Sequence, residues 1–236
     1  MMGKSSRFSK AGYSLPKFML NVGDETLFEK TVISFKDYFD SDLFVFTIPK
    51  DMELHNWLLS KIKILKISNF RIVLLDEDTN GQADTVMQTL ADFKKYDGEI
   101  NIFNIDTILL RFEKLTQAGF DGYLEVFKGE GDHWSFAEID EKNMVLSTSE
   151  KVRISPHCSN GFYNFRTKEI FIEGFEKQKI YNNENNLGEI YIAPIYNFLI
   201  ESGHKITIKY VNKKDIIFSG TPEEYELVLK NKRNEN

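Results

Sequence analysis

The sequence is short of several things, and each shortage removes a class of function. It holds one cysteine, Cys158, in 236 residues. No internal disulfide can therefore form, and the expected compartment is a reducing one, the cytoplasm. No apolar run approaches the roughly 20 residues that a membrane-spanning helix needs, and no signal peptide opens the chain, so membrane insertion is not expected. No block of like charges stands out. With 30 Lys and Arg against 36 Asp and Glu the net charge is −6, which argues against a general nucleic-acid surface and leaves room only for a local basic pocket. The four histidines, His55, His133, His157 and His204, are scattered without the spacing of zinc ligands. Internal repeats, low-complexity segments and linkers are missing as well, so 1–236 reads as a single domain.

What is there suits a folded enzyme-sized unit. Hydrophobic residues make up 42% and charged residues 28%, and 20 Phe with 10 Tyr imply a Phe-rich core. The chemistry begins at once, in Gly3-Lys4-Ser5-Ser6-Arg7-Phe8, with Pro16-Lys17 a short loop later. A glycine and small polar residues on a tight turn, followed by two cations, can aim backbone N–H groups and positive charge at one anion, such as a nucleoside triphosphate. The stretch is not a Walker A loop, because no Gly-Lys-Ser/Thr closes it. It is not a dinucleotide fingerprint either, because the second and third glycines are absent. From its chemistry alone it reads as well as a polar loop as it does as a phosphate cradle. Only Met1-Met2 precede it, where such a turn normally leaves the end of a strand, so the first strand of the fold is expected to be largely missing.

Further along, apolar runs at 42–48, 70–75 and 99–105 read as buried strands, with Asp106 at the end of the third. Helices are expected over 27–39 behind Thr26, after Asp51, and around Val86, Met87 and Leu90 beyond the polar turn Asn80-Gly81-Gln82. Strands alternating with helices predict an α/β fold, Rossmann-like, with a mixed, mainly parallel sheet and ligands at the carboxyl ends of its strands. The rhythm then changes. Short strands at 122–127, 134–139, 144–147 and 160–165 predict a small antiparallel extension. A helix over 191–202, stopped by Gly203, leads to late strands at 205–211 and 216–219. Thr221-Pro222-Glu223-Glu224 starts a last helix, with Thr as N-cap and acids in the first turn, and the polar tail 230–236 is expected to fray.

Taken together, these residues resemble the sugar-phosphate nucleotidyltransferases, and in particular a branch found in capsular polysaccharide clusters. The resemblance runs over nearly the whole chain. It is carried by Gly3-Lys4-Ser5-Ser6-Arg7-Phe8, Gly12-Tyr13 and Pro16-Lys17; by Asn80-Gly81-Gln82-Ala83, which matches the family's nucleobase loop; and by Asn104-Ile105-Asp106, which matches its metal-binding Asn-x-Asp. It continues through His133-Trp134-Ser135-Phe136, Glu150-Lys151, Gly161-Phe162-Tyr163-Asn164-Phe165, Gly188-Glu189-Ile190-Tyr191-Ile192-Ala193-Pro194 and Gly220-Thr221-Pro222-Glu223. Many relatives carry a second metal-binding aspartate two positions before the closing Gly-Thr. This chain has Phe218 there, with Asp215 nearby as a substitute.

The resemblance implies transfer of a nucleoside monophosphate from an NTP to a phosphorylated acceptor, by default a hexose 1-phosphate, with Mg2+ and release of pyrophosphate. It implies a nucleotide-binding half over about 1–118 and an acceptor-binding half over about 119–236. Arg7 and Lys17 become the catalytic cations, and Gly3, Lys4, Ser5, Ser6, Gly81 and Gln82 hold the nucleotide. Trp134, Glu150, Lys151, Tyr163 and Glu189 face the acceptor, and Asp106, with Asp215 as its companion, holds the metal. Homo-oligomers are compatible with it. Each residue also has an ordinary reading: surface charge for Arg7 and Lys17, a helix cap for Asp106, a solvated turn for Glu150-Lys151, core for Trp134 and Tyr163. Two other classes stay open, a glycosyltransferase using Asp76-Glu77-Asp78 as its Asp-x-Asp, and a non-catalytic nucleotide-binding protein.

Overall fold

A computed structural model describes residues 1–116 and 118–233; the end of the tail expected to fray, 234–236, lies outside them. The opening loop leads into α1 (Ser6–Lys10), and the short strands β1 (Asn21–Val22) and β2 (Glu25–Thr26) come after it. Thr26 caps α2 (Leu27–Val32) as expected, in a reciprocal box: its hydroxyl accepts from the Glu29 N–H at 3.3 Å, and the Glu29 carboxylate accepts from the Thr26 N–H at 2.8 Å. The helix expected over 27–39 ends early, because residues Ile33–Tyr38 tighten into a 3₁₀ helix with Phe35 outside helical geometry. That departure lets Phe35 pack edge-on against Phe112 at 4.6 Å and Ser34 accept from the Leu109 N–H at 2.9 Å.

β3 (Phe44–Pro49) and β4 (Phe70–Leu75) pair in parallel, and α3 (Met52–Leu65) crosses between them. Asp51 starts that helix by accepting from the N–H groups of Glu53 and Leu54. α4 (Gln82–Leu90), β5 (Ile100–Ile102) and β6 (Thr107–Leu109) come next. The strand expected over 99–105 is thus only three residues long, and Asp106 precedes a strand instead of capping a helix. β7 (Gly122–Lys128), β8 (Ser135–Ile139), β9 (Val145–Glu150) and β10 (His157–Phe165) form the expected antiparallel part. Beyond them lie α5 (Lys168–Glu184), which the sequence does not announce, and α6 (Ile195–Glu201). The helix expected over 191–202 is confined to α6, because Pro194 lacks an N–H and suits only a helix's first turn. β11 (Ile206–Tyr210), β12 (Ile216–Phe218) and α7 (Pro222–Arg233) complete the chain.

The chain forms two compact units that interleave in sequence. The first takes Met1–Asp78, Ile105–Glu113 and the chain from Lys214; the second takes Thr79–Asn104 and Lys114–Lys213. In the first, β3 and β4 pair, β6 and β12 pair antiparallel, and α2 and α3 cover a core of Phe18, Phe28, Phe46, Ile48, Leu58 and Ile62. In the second, six strands form one mixed sheet in the order β11-β7-β10-β8-β9, with β5 also on β10. β7 and β11 are parallel and the other pairings antiparallel. α5 and α6 bury Phe171, Phe175, Tyr196 and Leu199 against Leu124, Val126 and Phe165 of that sheet. The mixed α/β architecture expected from the sequence is the one observed. No described helix is long and apolar enough to cross a membrane.

Candidate active site

In the first unit the opening loop is held from its carboxyl side. Ser5 takes a left-handed conformation, φ 48° and ψ 35°, and starts α1. Phe8 on that helix is fully buried and meets Tyr13 and Tyr225 edge-on at 5.5 and 6.2 Å, which anchors the loop to the core. The Ser5 hydroxyl accepts from the Lys17 N–H at 3.2 Å, tying the glycine turn to the Pro16-Lys17 segment. Lys17 then reaches across 89 positions of sequence to donate from Nζ to the Asp106 carboxylate. Both side chains are about one-fifth exposed. Two residues that the sequence reading sets in one pocket are thus in contact. Arg7 is exposed, and Lys4 pairs with Asp78 at 2.7 Å on the surface.

Asp106 is held by its backbone, whose carbonyl accepts from both the N–H and the hydroxyl of Ser219 at 2.9 Å. Gly220 comes next. A Cβ placed there would lie 3.0 Å from Asp106 Oδ2 and 3.5 Å from Glu224 Oε2, so the two carboxylates approach the same point. Glu224 is fixed by the start of α7, where it accepts from the N–H groups of Gly220 and Thr221 at 2.8 and 3.0 Å.

In the second unit, Gly81 has φ 101°, and a Cβ there would fall 2.7 Å from the Ile190 carbonyl oxygen. Only glycine fits. Backbone bonds on either side, Ile190 N–H to Asn80 O at 2.7 Å and Ala83 N–H to Ile190 O at 3.1 Å, lace this loop to the 188–192 segment. Gln82 donates from Nε2 to Asn104 Oδ1 at 2.7 Å. The motif Asn104-Ile105-Asp106 therefore divides: Asn104 serves the Gln82 loop in the second unit, and Asp106 serves Lys17 in the first.

The residues expected to face the acceptor also gather in the second unit. Tyr163 donates to the Ser135 hydroxyl at 3.0 Å, and Ser135 donates to Glu150. Lys151 donates to the Tyr191 hydroxyl at 2.9 Å, lies over its ring, and is 3.8 Å from Glu150; Tyr191 in turn donates to Glu189. Burial pushes the Glu150 carboxyl up, and burial together with the Glu150 charge pushes the Tyr163 phenol up to about 12. Burial works against charge on Lys151, but Tyr191, Glu150 and Glu189 outweigh it and raise its affinity for a proton. The Trp134 indole donates to Glu130 O at 3.0 Å and packs edge-on against Phe127 at 5.3 Å. Trp134 lies in the bend just before β8, and Ser135 is the first residue of that strand. Ser135 and Tyr191 are the members that sequence reasoning passes over.

No family model matches the sequence, and no curated protein does. Among solved structures, the chain is similar to the nucleoside-diphosphate-sugar pyrophosphorylase from Vibrio cholerae RC9, at 40% identity over 97% of each chain with a TM-score of 0.90. The chain belongs to the sugar-phosphate nucleotidyltransferase family. More distant structures share the fold. The inositol-1-phosphate CTP transferase from T. maritima matches at 14% identity, over 97% of this chain and 92% of that one, with a TM-score of 0.74. The CTP:phosphocholine cytidylyltransferase from Streptococcus pneumoniae matches at 12%, over 97% and 94%, with a TM-score of 0.67.

As a nucleotidyltransferase the chain departs from the sequence expectation at the second carboxylate. β6 and β12 pair Thr107 with Phe218 and Leu109 with Ile216, so Asp215 lies at the far end of this ladder from Asp106. The three residues of β12 separate it from Ser219, four steps of the chain or about 13 Å at the usual rise. Asp215 cannot share a metal with Asp106. Glu224 is the carboxylate that stands beside it, and the Thr221…Glu224 capping signal is its only trace in the sequence.

Proposed function

We propose that this nucleotidyltransferase joins an NTP to a sugar phosphate, by default a hexose 1-phosphate, releasing pyrophosphate and giving a nucleotide sugar for surface polysaccharide in the cytoplasm. The observation that carries the reading is the Lys17–Asp106 contact beside the Gly3–Ser6 turn, in a chain of this family. The acceptor's phosphate oxygen forms a bond to the α-phosphorus in line, and the bond from that phosphorus to the bridging oxygen of pyrophosphate breaks. The attacking oxygen is already anionic, so no side chain need remove a proton. The difficulty is bringing two anions together and stabilising charge on the α-phosphoryl oxygens, which positioning and fixed cations address.

In this reading Lys17 and Arg7 face the polyphosphate, with the N–H groups of Gly3 to Ser6 around its oxygens. Gln82 presents its amide to the base edge, next to a Gly81 backbone that a base can approach closely. Lys151 draws in the acceptor phosphate, while Glu150, Tyr163 and Glu189 hold Lys151 and the sugar hydroxyls. The residues also fit a divalent cation. Asp106 and Glu224 are oxygen donors of the hard kind that Mg2+ takes, and a carboxylate has enough lone pairs to serve Lys17 and a cation together. When bound, Mg2+ supplies charge neutralisation to the polyphosphate. The glycosyltransferase alternative would rest on Asp76 and Asp78, whose side chains are 72% and 71% exposed on the surface, and the family similarity favours the first reading.

The test is pyrophosphate release from ATP, CTP, GTP or UTP with Mg2+ across a library of sugar 1-phosphates. Release with one NTP and one acceptor is the expected result. No release with any pair, alongside sugar transfer from a ready-made nucleotide sugar, would overturn it.

A further inference from the structure

Within the second unit's sheet is a charged pair that the proposed chemistry does not use. Glu125, on β7, is 1% exposed. Its Oε1 accepts from Lys209 Nζ at 3.0 Å, from the neighbouring β11, and its Oε2 accepts from Asn160 Nδ2 at 2.7 Å. Replacing such an ion pair with apolar residues is commonly neutral or stabilising, so its presence calls for another account. Asn160 sits where the register of β10 against β7 shifts, between Ser159 and Tyr163. The ladder is interrupted there, and side chains take its place: Asn160 Oδ1 accepts from the Phe162 N–H at 3.0 Å, and Ser159 Oγ accepts from the Gly161 N–H at 3.1 Å. Gly161, at the centre of the bulge, has φ 91°, and the place of its missing Cβ lies 2.4 Å from Asn104 Nδ2. Asn104 is the acceptor of the Gln82 amide.

We infer that Glu125 is a positioning residue for the nucleobase loop, acting through Asn160, the bulge at Gly161 and Asn104 on Gln82. An ionised carboxylate can only accept, so it selects the NH₂ side of the Asn160 amide and turns the oxygen to Phe162. A protonated Glu125 would carry a donor of its own and lose that selection. Burial pushes its carboxyl up, and the Lys209 charge, with the Asn160 bond, opposes this. Lys209 is thus the group that keeps the acceptor an acceptor. The bulge so fixed is the wall against which Asn104 rests, and Asn104 sets the direction in which Gln82 presents its amide.

The inference rests on the proposed function, and the test separates the two. Binding of ATP, CTP, GTP and UTP with Mg2+ is measured by titration calorimetry, together with inorganic pyrophosphate, which has the polyphosphate but no base. In Glu125→Gln the best-bound NTP should weaken about tenfold, the size of one lost hydrogen bond, and the preference over the next NTP should shrink, while pyrophosphate stays within about twofold. In Glu125→Gln/Lys209→Gln the amide introduced on β7 can again accept from Asn160 while donating to the amide introduced on β11, and base preference should return. Equal weakening of NTP and pyrophosphate, unchanged NTP binding, or failure of the double variant to recover preference would each overturn the inference. If the single variant does not fold, the double variant, which has no lone buried charge, decides alone; if that also fails to fold, the cluster is structural and the inference falls. A wild-type protein that binds none of the four NTPs removes the proposed function itself.

Discussion

Removing the charge on Asp106 should separate the stability of this chain from its activity. The Lys17–Asp106 pair lies between two regimes, with side chains 22% and 21% exposed. Exposed pairs contribute about 0–1 kcal/mol, and removing one partner of a fully buried pair costs about 3–5 kcal/mol. Asp106→Asn and Lys17→Met should therefore each cost about 1–2 kcal/mol and lower Tm by about 2–8 °C. The double variant leaves neither charge alone, so it should be less destabilised than the sum of the two by about 1 kcal/mol or more. Turnover should behave differently. Each single variant loses a charge that acts on the polyphosphate or its cation, a loss of about 10²–10³-fold in kcat by analogy with other preorganised electrostatic groups. Pairing the two losses restores nothing there. Urea denaturation with an unchanged m-value gives the first quantity, and pyrophosphate release gives the second. The reasoning fails if the double variant regains turnover along with stability, or if Asp106→Asn turns over at the wild-type rate.

Local geometry sets two further outcomes. Gly81→Ala places a Cβ 2.7 Å from the Ile190 carbonyl oxygen at φ 101°, so it should cost about 2–4 kcal/mol and weaken NTP binding; a denaturation midpoint equal to wild type would show that this backbone is not under constraint. The Glu173 carboxyl is held down to about 2, from an ordinary value near 4.5, first by Lys177 at 2.7 Å and then by His204. Its folded-state value is depressed, so its contribution to stability is present above pH 4.5 and is lost as the pH falls toward 2. Glu173→Gln should flatten the stability curve in that window, lowering stability near neutrality and leaving it unchanged once the pH falls to about 2. The effect should shrink at high salt, because the pair is solvent-exposed. A window that keeps its slope in the variant would assign the acid sensitivity to other groups.

The parts of this fold that can be read from the sequence are those whose cause is local. β3 and β4 are apolar runs ended by a proline or by acids, and Thr26, Asp51 and Thr221 cap helices with side chains two or three residues away from their partners. α5 has a local cause too, the Thr167 cap, yet its inward face conceals it. Along with Phe171 and Phe175 that face carries Lys168, Gly174, Gln178 and Asn182, all buried. Two of the polar members are inside because they have partners there: Lys168 donates to the carbonyls of Phe93 and Lys94, and Asn182 donates to that of Glu189. Gly174 is there because Ile195 of α6 packs where its Cβ would be, at 2.5 Å. Hydrophobic periodicity cannot register a face built from such residues.

The site divides along the same line. Lys17 and Asp106 meet across 89 positions, and neither their spacing nor their types can pair them; only the order of motifs shared with a family does. Trp134 and Ser135 show what such a match leaves open. Both belong to one motif, and the tryptophan, larger and rarer, looks like the wall of a pocket. Trp134 stands in the bend before β8 and packs against Phe127, while Ser135, the first residue of the strand, bonds to Tyr163 and Glu150, and the register of β8 against β9 sets which residue meets that carboxylate. Ser135 pairs with Glu150 across β8 and β9, and Glu150 is the carboxylate that Lys151 and Tyr163 approach. A shift of one residue would have put the indole there and sent the hydroxyl to Phe127. The smaller side chain therefore carries the hydrogen bond to that carboxylate, and the tryptophan packs against Phe127 and His133.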